Sequence, residues 1–182
     1  MAERVQQAAE AAGAEVRLRH VAELAPDEAI DSQPAWRAHV DAVAGQPGAT
    51  PDDVVWADAV VFGTPTRFGN VSAQLKQFID TCGPQWGQGL LADKVYAGFT
   101  SAQTLHGGHE ATLLSLYTTM YHWGGIVVPP GYTDALKFAD GNPYGVSHAT
   151  GANNDAPLGD TETAALDHLA QRVVSVAQRL AG

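Results

Sequence analysis

Hydrophobic and polar residues follow two patterns that alternate along the chain. Apolar residues three or four positions apart predict amphipathic helices, whereas short apolar runs or strict alternation predict strands. Helices are predicted over residues 2–12, 70–82 and 110–123, and a final helix is predicted to begin at Asp160 as its N-cap. Strands are predicted over residues 15–19, 57–63, 95–100 and 126–128. This alternation indicates an α/β fold, in which helices cover both faces of a parallel sheet.

Two longer segments lack a regular pattern. Residues 26–53 contain several Pro, Gly and Asp residues and predict a loop with one short helix at 36–43. Residues 131–158 are rich in Gly, Asn and Pro and predict one long functional loop. No internal repeat divides the chain, so a single domain spanning residues 1–182 is predicted.

The composition argues against several classes of function. The chain has 10 basic and 20 acidic residues, and its formal net charge of −10 disfavours nonspecific binding to nucleic acid or to an anionic membrane. No apolar stretch approaches the roughly 20 residues of a membrane span. Cys82 is the only cysteine, and we expect it to be a small buried hydrophobe. No Cys/His spacing indicates a metal site, and a reducing, cytoplasmic location is predicted.

Loops rich in Gly, Thr and Ser follow two of the predicted strands. Residues 63–70 (Gly-Thr-Pro-Thr-Arg-Phe-Gly-Asn) follow one strand, and residues 101–108 (Ser-Ala-Gln-Thr-Leu-His-Gly-Gly) follow the next. Ligands of such sheets bind at the carboxyl ends of the strands. Small residues there bring backbone N–H groups close to a planar polar ligand without obstruction from side chains. Both loops are therefore predicted to form one binding site.

Several motifs in a fixed order extend this observation to nearly the whole chain. They lie at residues 63–70, 74–80, 86, 107–110, 122, 129, 131–132 and 141–145. Together they resemble the WrbA family of flavodoxin-like NAD(P)H:quinone oxidoreductases. The resemblance implies a flavodoxin-like fold, an FMN cofactor, and two-electron reduction of quinones by NADH or NADPH, with both substrates using one flavin site in turn. It also implies a homotetramer whose pockets are completed by neighbouring subunits, with the 131–158 loop near an interface.

The resemblance also assigns roles to single residues. The first loop holds the flavin ring through Thr66, Arg67, Phe68, Gly69 and Asn70. The second loop contacts the flavin through Ser101, Ala102, Gln103, Thr104, Leu105, His106 and Gly107, although many relatives carry a Thr-Gly-rich version of it. Trp86 lines the substrate pocket, because aromatic rings stack on quinones and nicotinamides. His122 lies near the flavin and is the candidate catalytic residue, since it can donate a hydrogen bond or a proton to a quinone oxygen.

Other interpretations of the same residues stay open at this point. Arg67 also fits a surface turn, Trp86 an ordinary packing position, and His122 a structural one. Members of the family carry a strand and a phosphate-binding loop before their first helix, and these are expected to be missing from this sequence. The strand at 15–19 would then lack its central neighbour. The alternative functions are a flavodoxin-type electron carrier and a flavin-free noncatalytic chain.

Overall fold

Four parallel strands form the sheet of the computed structural model, which describes all 182 residues. They are β1 (Ala59–Pro65), β2 (Val95–Ala102), β3 (Ile126–Val127) and β4 (Val146–Ala149). β2 lies between the others: it pairs with β1 along one side, and with β3 and then β4 along the other. Because β2 has neighbours on both sides and helices on both faces, its first six residues are buried.

Nine helices surround this sheet. They are α1 (Ala2–Ala11), α2 (Asp27–Asp31), α3 (Pro34–Val43), α4 (Pro51–Trp56), α5 (Ala73–Thr81), α6 (Gly83–Gly87), α7 (His109–His122), α8 (Leu136–Asp140) and α9 (Asp160–Ala181). None of them is long and apolar enough to cross a membrane. The sequence-based prediction of an α/β fold with a parallel sheet is confirmed.

Two apolar clusters hold the helices on the two faces of the sheet. On one face, Val5 of α1 and Leu169 of α9 pack with Val95 of β2. On the other face, Leu75 of α5 and Leu116 of α7 pack with residues such as Tyr96. Successive side chains of β2 thus enter opposite clusters, as the two-residue period of a strand requires.

Local capping explains where several helices begin. The Ser72 hydroxyl accepts a hydrogen bond from the Leu75 N–H, so α5 begins at Ala73 rather than at residue 70. The prediction that Asp160 caps the last helix is wrong by one residue. Gly159 is the N-cap, and Asp160 lies in the first turn. Glu162 Oε2 accepts the Gly159 N–H at 2.6 Å, and both carboxylates favour the positive end of the helix dipole.

The predicted strand at residues 15–19 is absent. This segment has no regular secondary structure, and its only nearby ladder contact is a single bridge between His20 and Gly48. A cleft of about 1310 Å³ is lined by this segment, by β1, and by α1 and α9. β1 pairs only with β2, so no backbone lies close enough on its other side to form a ladder with residues 15–19.

Two predicted loops contain regular structure. Residues 26–53 hold α2, α3 and the first half of α4, of which only α3 matches the predicted short helix. Residues 131–158 hold α8 and β4. The sequence of β4 is Val-Ser-His-Ala, which is too short and too polar to show a strand period. It becomes a strand because the last four residues of β2 offer it a free edge.

Candidate active site

The two loops predicted to bind a ligand meet at the carboxyl ends of β1 and β2. The Thr66 N–H donates to the Ser101 carbonyl at 2.8 Å, which continues the ladder between the two strands. Gly108 adopts a φ of +97° at the N-terminus of α7, and a Cβ there would lie 3.0 Å from the Cα of Gly69. The loops therefore touch through glycine backbone, and a side chain at Gly108 would separate them.

The first loop is a tight turn that presents an aromatic ring. Arg67 and Asn70 exchange backbone hydrogen bonds of 2.8 and 3.0 Å around Phe68 and Gly69, whose φ angles are both positive. A positive φ is uncommon for a residue other than glycine, and it costs conformational energy. The Phe68 side chain is fully exposed, and Asn70 Nδ2 donates to the Phe68 carbonyl at 3.2 Å. The turn thus holds an apolar ring in solvent, where it can contact a ligand.

Arg67 supplies a positive charge beside this turn. Its side chain is exposed, and one guanidinium nitrogen donates to the Thr66 carbonyl at 3.0 Å. It forms no ion pair with an acidic residue, in contrast to Arg4, Arg17 and Arg37. In a chain with a formal net charge of −10, this free guanidinium can attract an anionic group to the site.

The second loop presents unpaired backbone donors. The N–H groups of residues 103–106 form no hydrogen bond within the chain, and all four residues are exposed. Gly107 closes the loop by donating to the Thr104 carbonyl at 3.0 Å, and a Cβ at Gly107 would lie 2.7 Å from the Ala102 Cβ. Consecutive free N–H groups next to a helix N-terminus favour a ligand rich in acceptor atoms.

Two buried histidines, which the sequence did not single out, anchor the second loop. The His109 ring lies between the carbonyls of Leu105 and His148, at 3.3 Å from each. The His148 ring in turn lies 2.6 Å from a Glu162 carboxylate oxygen and 2.9 Å from the Ala156 carbonyl. These contacts tie the loop to β4 and to the start of α9. These two histidines differ from the others only in being buried. The burial of a single histidine leaves no pattern in the sequence, so sequence analysis could not find them.

Trp86 and His122 lie together, at the opposite end of α7 from the second loop. The Trp86 indole N–H donates to the His122 carbonyl at 2.8 Å, and the Trp86 side chain is about half exposed. His122 is the last residue of α7, whose first residue, His109, adjoins the loops. A helix of 14 residues is about 20 Å long, so this pair lies about that far from the second loop, whereas the first loop reaches the middle of α7, where the Ser115 hydroxyl donates to Asn70 Oδ1 at 3.4 Å.

Comparisons with known proteins agree on the type of protein. A family model described as NADPH-dependent FMN reductase matches residues 1–138. The NAD(P)H dehydrogenase (quinone) of Deinococcus radiodurans is 46% identical over 100% of this chain and 90% of its own length. The protein of the same description from Geotalea uraniireducens is 38% identical over 100% of this chain and 92% of its own.

A solved structure confirms the flavodoxin-like fold. The crystal structure of a flavodoxin, WrbA-like protein from Agrobacterium tumefaciens superposes with a TM-score of 0.61. The match covers 98% of this chain and 90% of the other, at 24% sequence identity. At this identity the likeness concerns the fold alone.

Proposed function

The chain belongs to the NADPH-dependent FMN reductase family, and from this premise we propose that it is an FMN-dependent NAD(P)H:quinone oxidoreductase. The observation that carries the proposal is the meeting of two loops that offer free backbone N–H groups, an exposed aromatic ring and a guanidinium that forms no ion pair. These groups suit a planar cofactor with acceptor atoms along one edge.

The residues of both loops fit FMN in shape and in chemistry. Bound FMN would accept a hydride from NADH or NADPH and pass two electrons to a quinone. Thr66–Asn70 and Ser101–Gly107 would hold the flavin ring, and the close approach of Gly69 and Gly108 keeps side chains away from it. Free N–H groups and the Arg67 guanidinium stabilise negative charge, and are already oriented before any ligand arrives.

We further propose that NAD(P)H and the quinone occupy one place in turn, between the flavin loops and the Trp86–His122 pair. Trp86 would stack on the planar substrate and exclude water, and the His122 imidazole would donate a hydrogen bond or a proton to a quinone oxygen. One chain holds these groups about 20 Å from the second loop and, because Asn70 contacts Ser115, about 10 Å along α7 from the first loop. A second copy that brings its own Trp86 and His122 to the loops would close this gap, which fits the proposed homotetramer with shared sites.

Exposed aromatic residues support such an assembly. Tyr121 lies beside His122 and is largely exposed. In the 131–158 segment, Tyr132 and Phe138 stack on each other at 4.8 Å between ring centroids, and both are more than half exposed. Apolar rings clustered at a surface are typical of subunit contacts. Light scattering at micromolar concentration should give about four times the 19.1 kDa of one chain, and a monomer would contradict the proposal.

The proposal includes a cytoplasmic location. It is supported by the reaction, which consumes NADH or NADPH, and by the single thiol of Cys82, which is buried and has no cysteine partner. Fractionation of cells that express the protein tests this, with the activity expected in the cytoplasmic fraction and not in the periplasm or the membranes.

Steady-state kinetics test the function. Protein supplied with FMN should oxidise NADH or NADPH only when a quinone such as benzoquinone is present, and double-reciprocal plots at several quinone concentrations should be parallel. Arg67→Met should lower kcat/KM for NADPH about tenfold, because the nucleotide loses a cation at the site. Arg179→Met is the matched control, since Arg179 bonds only to Ser175 within α9. Protein that binds FMN but leaves NAD(P)H unoxidised would reject the proposal.

A further inference from the structure

One side-chain hydrogen bond joins the first loop to α7. Thr66 Oγ1 lies 2.5 Å from Thr112 Oγ1, and either hydroxyl could be the donor on distance alone. The two residues differ in their surroundings: Thr112, in the first turn of α7, is completely buried, whereas Thr66 is half-buried at the end of β1.

Burial decides the direction of this bond. Each hydroxyl carries one proton, and Thr66 Oγ1 is the only hydrogen-bond partner of Thr112 Oγ1. The Gly108 carbonyl, one turn earlier, receives the Thr112 N–H and forms no bond with the hydroxyl. If Thr112 accepted the bond, its own proton would lie unpaired in the interior, which is unfavourable. Thr112 therefore donates, and Thr66 accepts.

We propose that Thr112 is a positioning residue that directs the Thr66 hydroxyl proton to the bound ligand. The backbone of Thr66 is fixed by its bond to Ser101, and the Thr112 proton occupies one lone pair of its hydroxyl. Thr66 has no acceptor for its own proton within the chain. The site is thus built to donate at this point, and it selects ligands with a carbonyl oxygen or an unprotonated ring nitrogen there. This deepens the proposed function, on which it rests, because FMN offers both kinds of acceptor.

The dependence of the buried Thr112 hydroxyl on Thr66 can be measured without any ligand. Thr66→Val leaves the buried Thr112 hydroxyl without a hydrogen-bond partner. Thr112→Val leaves only the half-buried Thr66 hydroxyl without one, and water can bond to that hydroxyl. The melting temperature should therefore fall by about 3 °C or more in Thr66→Val and by less than half as much in Thr112→Val. A larger fall in Thr112→Val than in Thr66→Val would overturn the inference.

Binding of FMN tests the consequence for the ligand. Thr112→Val should raise the Kd for FMN about fivefold, and Thr112→Ser should restore it because serine keeps the donor. The double variant Thr66→Val/Thr112→Val should lose no more affinity than Thr66→Val alone, since the two hydroxyls act as one unit. Thr118→Val is the matched control: its hydroxyl bonds only to the Leu114 carbonyl of the same helix, and its Kd should stay unchanged.

The two proposals fail in different ways. Wild-type protein that binds no FMN would reject the proposed function, while the comparison of melting temperatures would still test whether Thr66 satisfies the buried Thr112 hydroxyl. FMN binding that is unchanged by Thr112→Val, or additive losses in the double variant, would reject the role of Thr112 and leave the proposed function intact.

Discussion

The two ends of α7 carry the two halves of the candidate site, and they are built differently. At the N-terminal end, strand pairing and a glycine–glycine contact join the two loops, and a threonine pair joins the first loop to α7. At the C-terminal end, Trp86 is attached to His122 by one bond to its backbone carbonyl, and the neighbouring aromatic surface is exposed. The two loops of the first half contact each other within one chain, whereas the second half leaves aromatic side chains exposed to solvent.

This difference follows from the topology of parallel strands. A helix that connects two parallel strands must return from the carboxyl edge of the sheet to the amino edge. α7 begins beside the loops after β2 and ends just before β3, so its two ends lie at opposite edges. Residues near in sequence to either end are thereby kept apart by the full length of the helix.

The largest effect is expected from breaking the N-terminal end. Gly108→Val places a β-branched side chain at a φ of +97°, with its Cβ 3.0 Å from the Cα of Gly69, and forces the two loops apart. Turnover with NADPH and benzoquinone should fall on the order of a hundredfold, because small displacements of a preorganised site cost this much. Gly13→Val is the control, since Gly13 has a φ of +90° and nothing within 4 Å of the added Cβ. Equal losses in both variants would mean that backbone strain alone is responsible.

Mixed oligomers sharpen the comparison. If each site combines the loops of one subunit with the Trp86–His122 pair of another, two inactive variants should complement each other. Gly108→Val and Trp86→Ala, denatured together and refolded, should regain about a quarter of the wild-type turnover, because random mixing leaves about one site in four intact. Each variant refolded alone serves as the control. No gain on mixing would show that the halves are not shared between subunits.

A smaller effect is expected from the side chain of His122. His122→Asn keeps the backbone carbonyl that binds Trp86, so it removes only the imidazole. Stopped-flow traces should show the quinone half-reaction slowed on the order of tenfold, with less change in the NAD(P)H half-reaction, because only the quinone needs a proton or a hydrogen-bond donor. His168→Asn, in α9, is the control. Unchanged kinetics with FMN still bound would show that the His122 imidazole takes no part in the reaction.

The smallest effect concerns the attachment of Trp86. Cys82 is fully buried at the N-cap of α6, and burial raises the pKa of its thiol to about 11, so labelling by a thiol reagent at pH 8 requires local opening. Trp86→Phe removes the indole N–H and should speed this labelling about fivefold, the effect of one hydrogen bond. Trp56→Phe, in α4, should not change it. The labelling rate of every variant should rise with pH, since the thiolate is the reactive form.

Much of the sheet could be predicted because burial leaves a local trace. The run at residues 95–100 is apolar since β2 is covered on both faces, and the period of residues 110–123 corresponds to α7 within one residue at each end. The two loops were predictable from composition and from their position after strands. β1 begins two residues later than predicted, because α4 extends to Trp56 and Ala57 is its C-cap.

Other features depend on partners that are distant in the sequence. β4 is a strand because it pairs with the edge of β2. Residues 15–19 do not form a strand because the free edge of β1 is too far away to pair with them. The roles of His109 and His148 follow from carbonyls and a carboxylate brought to them by other elements. None of these partners affects the local pattern of apolar and polar residues.

The sequence by itself determined the α/β class, the strands and helices with strong periods, and the position of the two loops at the carboxyl edge of the sheet. It did so because side-chain burial repeats with the period of each element, and because glycine and threonine mark the turns after strands. Only the tertiary structure decided that the loops contact each other at Gly69 and Gly108, and that Trp86 and His122 lie at the C-terminal end of α7. Distances between elements depend on packing and chain direction, which local sequence does not encode.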